Sequence, residues 1–354
     1  MSTTERMTDS LDSQEVRADL KGMSQGALVR KRFLGHTAAL IAVALLAFVV
    51  LIALTSVGIG AWHGWWKYTW QDTPKLIDGG EPTLQLFPFS LGEHPFGQDS
   101  VGRDYFAMTM RGTQISLVIT VLVGVISAVV GVSVGAASGF FRGWVESVLM
   151  RFTDIVIIVP VLLLGAVIGY NLKAGFVLLG TFLGLVLWTG MARLVRGDFL
   201  SLREREFVDA ARLAGASSGR IIFKHILPNA VGVITVNTTL LMSSAILLET
   251  SLSYLGFGVK APDTSLGLLI SSNQAAFSTR PWLFWWPGLF IVIICLSINF
   301  IGDGLRDAFD PQQKKVSLRR VKEQAQVDVP APLTAATAAP AQDGGTTPEP
   351  GDGR

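Results

Sequence analysis

The sequence predicts an all-α polytopic membrane protein with six transmembrane helices, and three observations carry that prediction. Half of the 354 residues are hydrophobic and only 16% are charged, which lies outside the composition of ordinary soluble domains. Six apolar stretches, at roughly 37–60, 113–137, 147–170, 174–196, 231–256 and 285–303, each approach the ~20 residues that a helix rising about 1.5 Å per residue needs to cross hydrocarbon. The 29 Lys and Arg are unevenly spread, 22 on the side of the N-terminus and 7 on the other. The positive-inside bias then places both termini in the cytoplasm.

Taken in order, residues 1–35 mix acids and bases without apolar periodicity and read as a cytoplasmic tail, mostly disordered. The first span has a long polar segment before it and an apolar run about twice that of a signal core, so it is expected to stay as an anchor. The outer loop 61–112 is rich in Trp, and Trp62, Trp65, Trp66, Trp70, Trp282, Trp285 and Trp286 all fall in or beside outer segments, as amphipathic indoles at headgroup level do. Asp99, Arg103 and Asp104 precede the second span, where a cap for its first turn is favoured over a contact with a delivery protein.

The connection 138–146 is a short turn, and Asp154 in the third span is expected to pair with Arg151 one turn earlier. Arg193 lies close enough to the inner end of the fourth span to snorkel. In the fifth span Glu249 has two readings, one lining a cavity or outer gate with Ser253, the other bonding to a neighbouring helix. Asn237 and Asn299 read as hydrogen-bond glue between helices. Cys295 is alone, the four His are scattered, and neither gives a metal-ligand spacing. Asp303, Arg306 and Asp307 form a charge network at the inner end of the last span. The tail 304–354 is first basic, with Lys314, Lys315, Arg319, Arg320 and Lys322, and then rich in Pro, Ala, Gly and Thr, hence disordered.

One cytoplasmic connection between spans is long, residues 197–229. Ser201 and Glu204 have capping-box spacing, so a helix is expected to start at Ser201 and end at Gly215. Ser217 or Ser218 then caps a short helix that Pro228 limits. Ala210, Ala211 and Ala214 allow close approach to a neighbour, and Ile221, Ile222 and Phe223 are apolar residues without an evident core. They either enter a partner's groove or pack on the ends of the spans.

DAARLAGASSGRIIFKHILPN at 209–229 resembles the cytoplasmic signature of permease subunits of ATP-binding-cassette importers, with Asp209 where the family has Glu and His225 at a position that is usually apolar. HPFGQDSVGRDYFAMTMRGTQISL at 94–117, ETSLSYLGFGV at 249–259 and FIGDGLRDAFDP at 300–311 are similar to the dipeptide and oligopeptide branch. A sister branch carries nickel.

The resemblance implies a type I importer permease architecture, with 36–303 as the transmembrane domain and a coupling helix at 209–228 that docks on a cytoplasmic ATP-binding subunit. Asp209, Ala210, Ala211, Gly215, Ile221, Phe223, His225, Leu227 and Pro228 are the residues it assigns to that contact. It further implies a second permease subunit and an external substrate-binding protein in the bacterial inner membrane. The chain has no GxxxxGK[ST] phosphate loop, so no cofactor is expected on it and ATP and magnesium belong to partner subunits. Near-neutral net charge argues against nucleic acid. A stand-alone channel or ion-coupled carrier would be expected to place a line of acids or bases along its spans, which this sequence lacks.

Overall fold

The computed structural model describes residues 25–60, 62–85, 87–171 and 175–309. The basic cluster at 314–322 and most of both tails lie outside the described residues. Ten helices organise the rest: α1 (Gln25–Phe33), α2 (Thr37–Val57), α3 (Tyr105–Phe141), α4 (Gly143–Ile158), α5 (Val161–Asn171), α6 (Phe176–Arg203), α7 (Glu206–Leu213), α8 (Leu227–Tyr254), α9 (Leu266–Ser272) and α10 (Trp282–Phe309). A two-stranded ribbon, Gly58–Ile59 with Trp62–His63, follows α2. Five helical stretches are long and apolar enough to cross a membrane, and the pair α4–α5, bent by 70°, makes a sixth if it is one crossing.

Several expected boundaries move. The second span begins at Tyr105 instead of 113, because Asp104 caps it by accepting from the Ala107 amide at 2.7 Å. The third is not one straight helix: it breaks at Val159–Pro160, since Pro has no amide to donate and disfavours helical geometry in the residue before it. Part of the N-terminal segment expected to be mostly disordered, Gln25–Phe33, is helical and packs on α10.

α3 and α6 form the spine. A Cβ added to Gly131, Gly135 or Gly139 would fall 2.6 Å from Met191 Cβ, 2.6 Å from Ala192 O and 2.7 Å from Phe199 Cβ, and one on Gly184 would fall 2.8 Å from Ile126 Cβ. Residue numbers rise together along both helices, so the two run parallel, and α4–α5 is the return between them. Such close approach is how helices gain contact energy in lipid, where burying apolar surface gives little. α8 packs across α3 and α10, and α2 packs on α10 and α3. At the opposite ends of the bundle lie the Trp-bearing segment 62–70 and the loop between α6 and α8, here called the tryptophan end and the loop end.

At the tryptophan end Asp104 is a fully buried hub: Oδ1 also accepts from Trp66 Nε1 at 3.0 Å, and Oδ2 lies 2.7 Å from His94 Nδ1. Burial pushes its carboxyl above the usual range, and the bonds from His94, Ala107 and Trp66 pull the other way. Asp99 pairs with Arg103 at 2.7 Å, so this acidic pair is a cap and a brace. Only some of the outer Trp residues are exposed, Trp62, Trp65 and Trp285 strongly so. Trp66, Trp70, Trp282 and Trp286 pack on the core, Trp286 stacked on Phe96 at 3.9 Å.

Candidate functional site

The loop between α6 and α8 is a braced platform. α6 runs straight through Ser201 to Arg203, so the expected capping box is not used: the Ser201 hydroxyl donates to the Asp198 carbonyl three residues back. A continuing α6 is favoured because Phe199 is fully buried beneath it and Arg203 donates to the Phe140 carbonyl at the end of α3. The chain breaks only at Glu204–Arg205, and Glu204 pairs with Arg142 at 3.1 Å. Arg196 is bonded to Glu146 of α4, with Nε to Oε1 at 2.8 Å.

α7 then lies on the platform with Val208 and Ala211 turned inward against Phe199, Ile221, Ile226 and Ala230. It ends as expected. Gly215 has φ +76°, and the amides of Gly215 and Ala216 donate to the carbonyls of Arg212 and Ala211 at 2.9 and 3.0 Å, the paired bonds of a Schellman end. The Ser217 hydroxyl accepts from the Arg220 amide.

The segment after Ser217 is not the expected short helix limited by Pro228. Residues 218–254 form one continuous helix, with a single α turn, a π segment at Ile221–Ile226, and then α8 with Pro228 in its first turn. The π register, in which Leu227 N donates to Ile222 O, gives the proline ring room that a regular α turn would deny it.

The residues assigned to docking divide by exposure. Asp209, Ala210, Gly215, Phe223 and Pro228 are exposed, while His225 and Leu227 are half-buried. Ala211 and Ile221 are buried within the platform, so they hold the loop in place and offer nothing to a partner surface. Leu213, 91% exposed, and Phe207 belong to the outward face and were not singled out in the sequence. For Leu213 the signal was the helical spacing that puts it opposite Val208 and Ala211; Phe207, one turn before Ala211, had none. Asp209 pairs with the exposed Arg212, at 2.9 Å.

Along the spans Glu249 takes the second of its two readings, bonded to a neighbouring helix, and several other polar residues sort differently from expectation. Glu249 and Ser253 are fully buried and border neither of the two hollows of about 840 and 240 Å³. Ser253 Oγ donates to Glu249 Oε1 at 2.7 Å, Ser116 Oγ of α3 donates to Oε2 at 3.1 Å, and Ser253 lies 3.2 Å from Ser265, the cap of α9. The cluster thus locks α3, α8 and α9 together. Asn237 and Asn299 bond within their own helices, to Val233 O and Cys295 Sγ, and do not bridge helices. Asp154 pairs with Arg193 across to α6 at 2.5 Å and not with Arg151. Asp307 lies 3.4 Å from His36 at the base of α2, while Arg306 turns to a hollow of about 840 Å³ between α1, α8 and α10. Among the described residues no three His, Cys, Asp or Glu converge as metal ligands.

The open face of α8 is continuous. Val233, Leu240, Ser244, Leu247, Ser251 and Tyr254 are exposed at helical spacing from end to end, with Asn237 half-buried among them. Residues of this face border both the large hollow and a smaller one of about 240 Å³ against α6.

Comparison with known proteins places this geometry. Residues 131–315 match the family described as binding-protein-dependent transport system inner membrane component. The chain is 39% identical over 301 residues to the oligopeptide transport system permease protein OppC of Mycobacterium tuberculosis, covering 84% of this chain and 97% of that protein. It is 34% identical over 318 residues to OppC of Escherichia coli K12, covering 89% and 100%. OppC of Haemophilus influenzae is 34% identical over 314 residues, covering 88% and 94%. Among solved structures, a chain of the MetNI methionine ABC transporter in an inward-facing conformation covers 57% of this chain and 96% of its own, at a TM-score of 0.48 and 18% identity. The chain therefore belongs to the binding-protein-dependent transport system inner membrane component family, as a multi-pass ABC transporter permease related over most of its length to oligopeptide permeases.

Proposed function

We propose that this chain is one of two permease subunits of an ATP-driven importer that carries small peptides across the bacterial inner membrane. Its loop end faces the cytoplasm, as the Lys and Arg asymmetry directs. The observation that carries the reading is the loop. Leu213, Phe223 and Asp209 stand exposed on a backbone that Val208, Ile221, Phe199 and three arginines hold still. An apolar pair beside a charge on a rigid mount is what a helix-in-groove contact requires, and the groove belongs to an ATP-binding subunit that carries ATP and magnesium. ATP-driven closure of two such subunits displaces the loop, and the spans rock between inward and outward opening.

The path runs along the open face of α8. The stripe mixes Asn237, Ser244 and Ser251 with Leu240, Leu247 and Tyr254, and such a mixed surface suits peptides, whose backbones are polar and whose side chains vary. The second permease closes the path, and an external binding protein delivers substrate at the tryptophan end. Affinity purification of the chain from its host membrane in mild detergent tests the assembly. A second permease, a P-loop ATPase and a binding protein carrying peptide are expected at stoichiometric levels. A lone chain or homo-oligomer without ATPase would sink this reading in favour of a channel or carrier, and a nickel-loaded binding protein would move the substrate to metal.

A further inference from the structure

We propose that the large hollow between α1, α8 and α10 is a binding site for an anionic phospholipid, with the phosphate held by Arg306 and Arg32 and the upper acyl chain by the apolar wall. A lipid at this place is independent of what the transporter carries.

The hollow, of about 840 Å³, is amphiphilic. Leu28 and Val29 of α1, Val236 and Leu240 of α8 and Phe309 of α10 line it together with Arg32 and Arg306, and no Asp or Glu does. Arg306 is exposed and has no ion-pair partner among the described residues. Asp307, next to it, faces His36 at 3.4 Å instead. Arg32 Nη1 reaches the Ala308 carbonyl at 3.5 Å, two residues from Arg306, so both cations belong to one site. Arg30 and Lys31, exposed in the same closing turn of α1, add to the positive field. The smaller hollow against α6 has no charged residue in its lining.

The height of Arg306 in the membrane follows from α10. Trp285, 63% exposed near the start of that helix, marks headgroup level, as exposed indoles do. Arg306 lies 21 residues further along the same helix, about 32 Å at 1.5 Å per residue, which matches the thickness of the hydrocarbon core. It therefore stands at the headgroup level of the opposite leaflet. Gly302 of α10 meets Thr239, and Gly232 of α8 meets Phe309, so Arg306 is level with the turns of α8 between those contacts. Leu240 then lies deeper, beside the acyl region.

The ligand follows from this order of groups. Cations at headgroup level above an apolar wall suit an amphiphile with a negative head, and basic pockets between spans are where anionic headgroups bind. A soluble phosphate would gain nothing from the wall. A zwitterionic lipid would bring an ammonium to a site that already holds two guanidinium groups.

The test uses the assembled transporter in phosphatidylcholine proteoliposomes that carry a trace of photoreactive phosphatidylglycerol or photoreactive phosphatidylcholine, each with its reactive group on the upper acyl chain. After illumination the labelled peptides are mapped by mass spectrometry. Phosphatidylglycerol is expected to label the segments of Val29, Val236 and Phe309 about fivefold or more above phosphatidylcholine; Arg306→Gln lowers that labelling about fivefold, and Arg306→Lys, which keeps the charge, preserves it. Equal labelling by the two lipids would make the hollow an ordinary boundary of the bilayer, and no label from either would mean that the second permease fills it; both results overturn the proposal. Equal losses in Arg306→Lys and Arg306→Gln would mark Arg306 as a structural residue and do the same. Millimolar inorganic phosphate is expected to leave the labelling unchanged, and displacement would make a soluble anion the ligand in place of a lipid. None of these outcomes requires a substrate to be moved, so the peptide reading stands or falls separately.

Discussion

At the level of single residues, Asp209 and Gly215 carry the clearest predictions. Asp209 is exposed and bonded to a neighbour on its own helix, so its charge is available to a partner. Asp209→Lys is expected to weaken co-purification of the ATPase by about tenfold or more, while Asp209→Glu leaves it near wild type; equal recovery by both would remove Asp209 from the contact. Gly215 occupies the left-handed region with open space around it, so a side chain there meets no clash but strains the backbone. Gly215→Val is expected to cost about 1–3 kcal/mol locally and to uncouple hydrolysis from uptake, and a variant with normal uptake per ATP would count against the loop. Both residues were legible in the sequence because a Schellman end and a surface charge are local matters. Asp154 was not, since its partner lies 39 residues away in another helix and no local spacing announces such a pair. Glu249 was half legible: its span position flagged it, but only the fold reveals that Ser116, Ser253 and Ser265 surround it.

At the level of elements, hydropathy located all six apolar stretches, and it failed where one rule overrode another. Pro160 sits inside an unbroken apolar run, so hydropathy reads through a bend that backbone chemistry imposes. Pro228 did the opposite: its usual meaning is a helix limit, and here the π turn absorbs it. The box at Ser201 lost to tertiary packing, because starting a new helix there would have withdrawn the turn that seats Phe199 in the core. The α3–α6 contact makes a sharper prediction. Gly135→Leu would drive a side chain into Ala192 O and Val195 and is expected to destabilise the pair by about 3 kcal/mol, seen as a lower melting temperature in detergent. An unchanged melting temperature would mean that the two helices are not in close contact.

At the level of the whole molecule, the paired ends of the spans agree with the sequence's grouping of loops by side, because the α2 base, α6 terminus, α7, α8 start and α10 terminus gather at one end. The path can be checked directly. In a Cys295→Ala background, Ser244→Cys and Ser251→Cys are expected to react with a water-soluble maleimide in the assembled transporter, and Ser253→Cys, fully buried beside Glu249, is expected to stay unlabelled. Labelling of Ser253→Cys with protection of Ser244→Cys would place the path elsewhere.

The parallel contact of α3 and α6 has a mechanical meaning. Two rods held close from Ile119 to Gly139, about 30 Å, by glycines of each set against side chains of the other such as Met191, Val195, Phe199 and Ile126, resist flexing as a single thicker beam. A displacement applied at Arg203, which grips the far end of α3, therefore arrives at the other end of that beam as a tilt and is not dissipated by bending on the way.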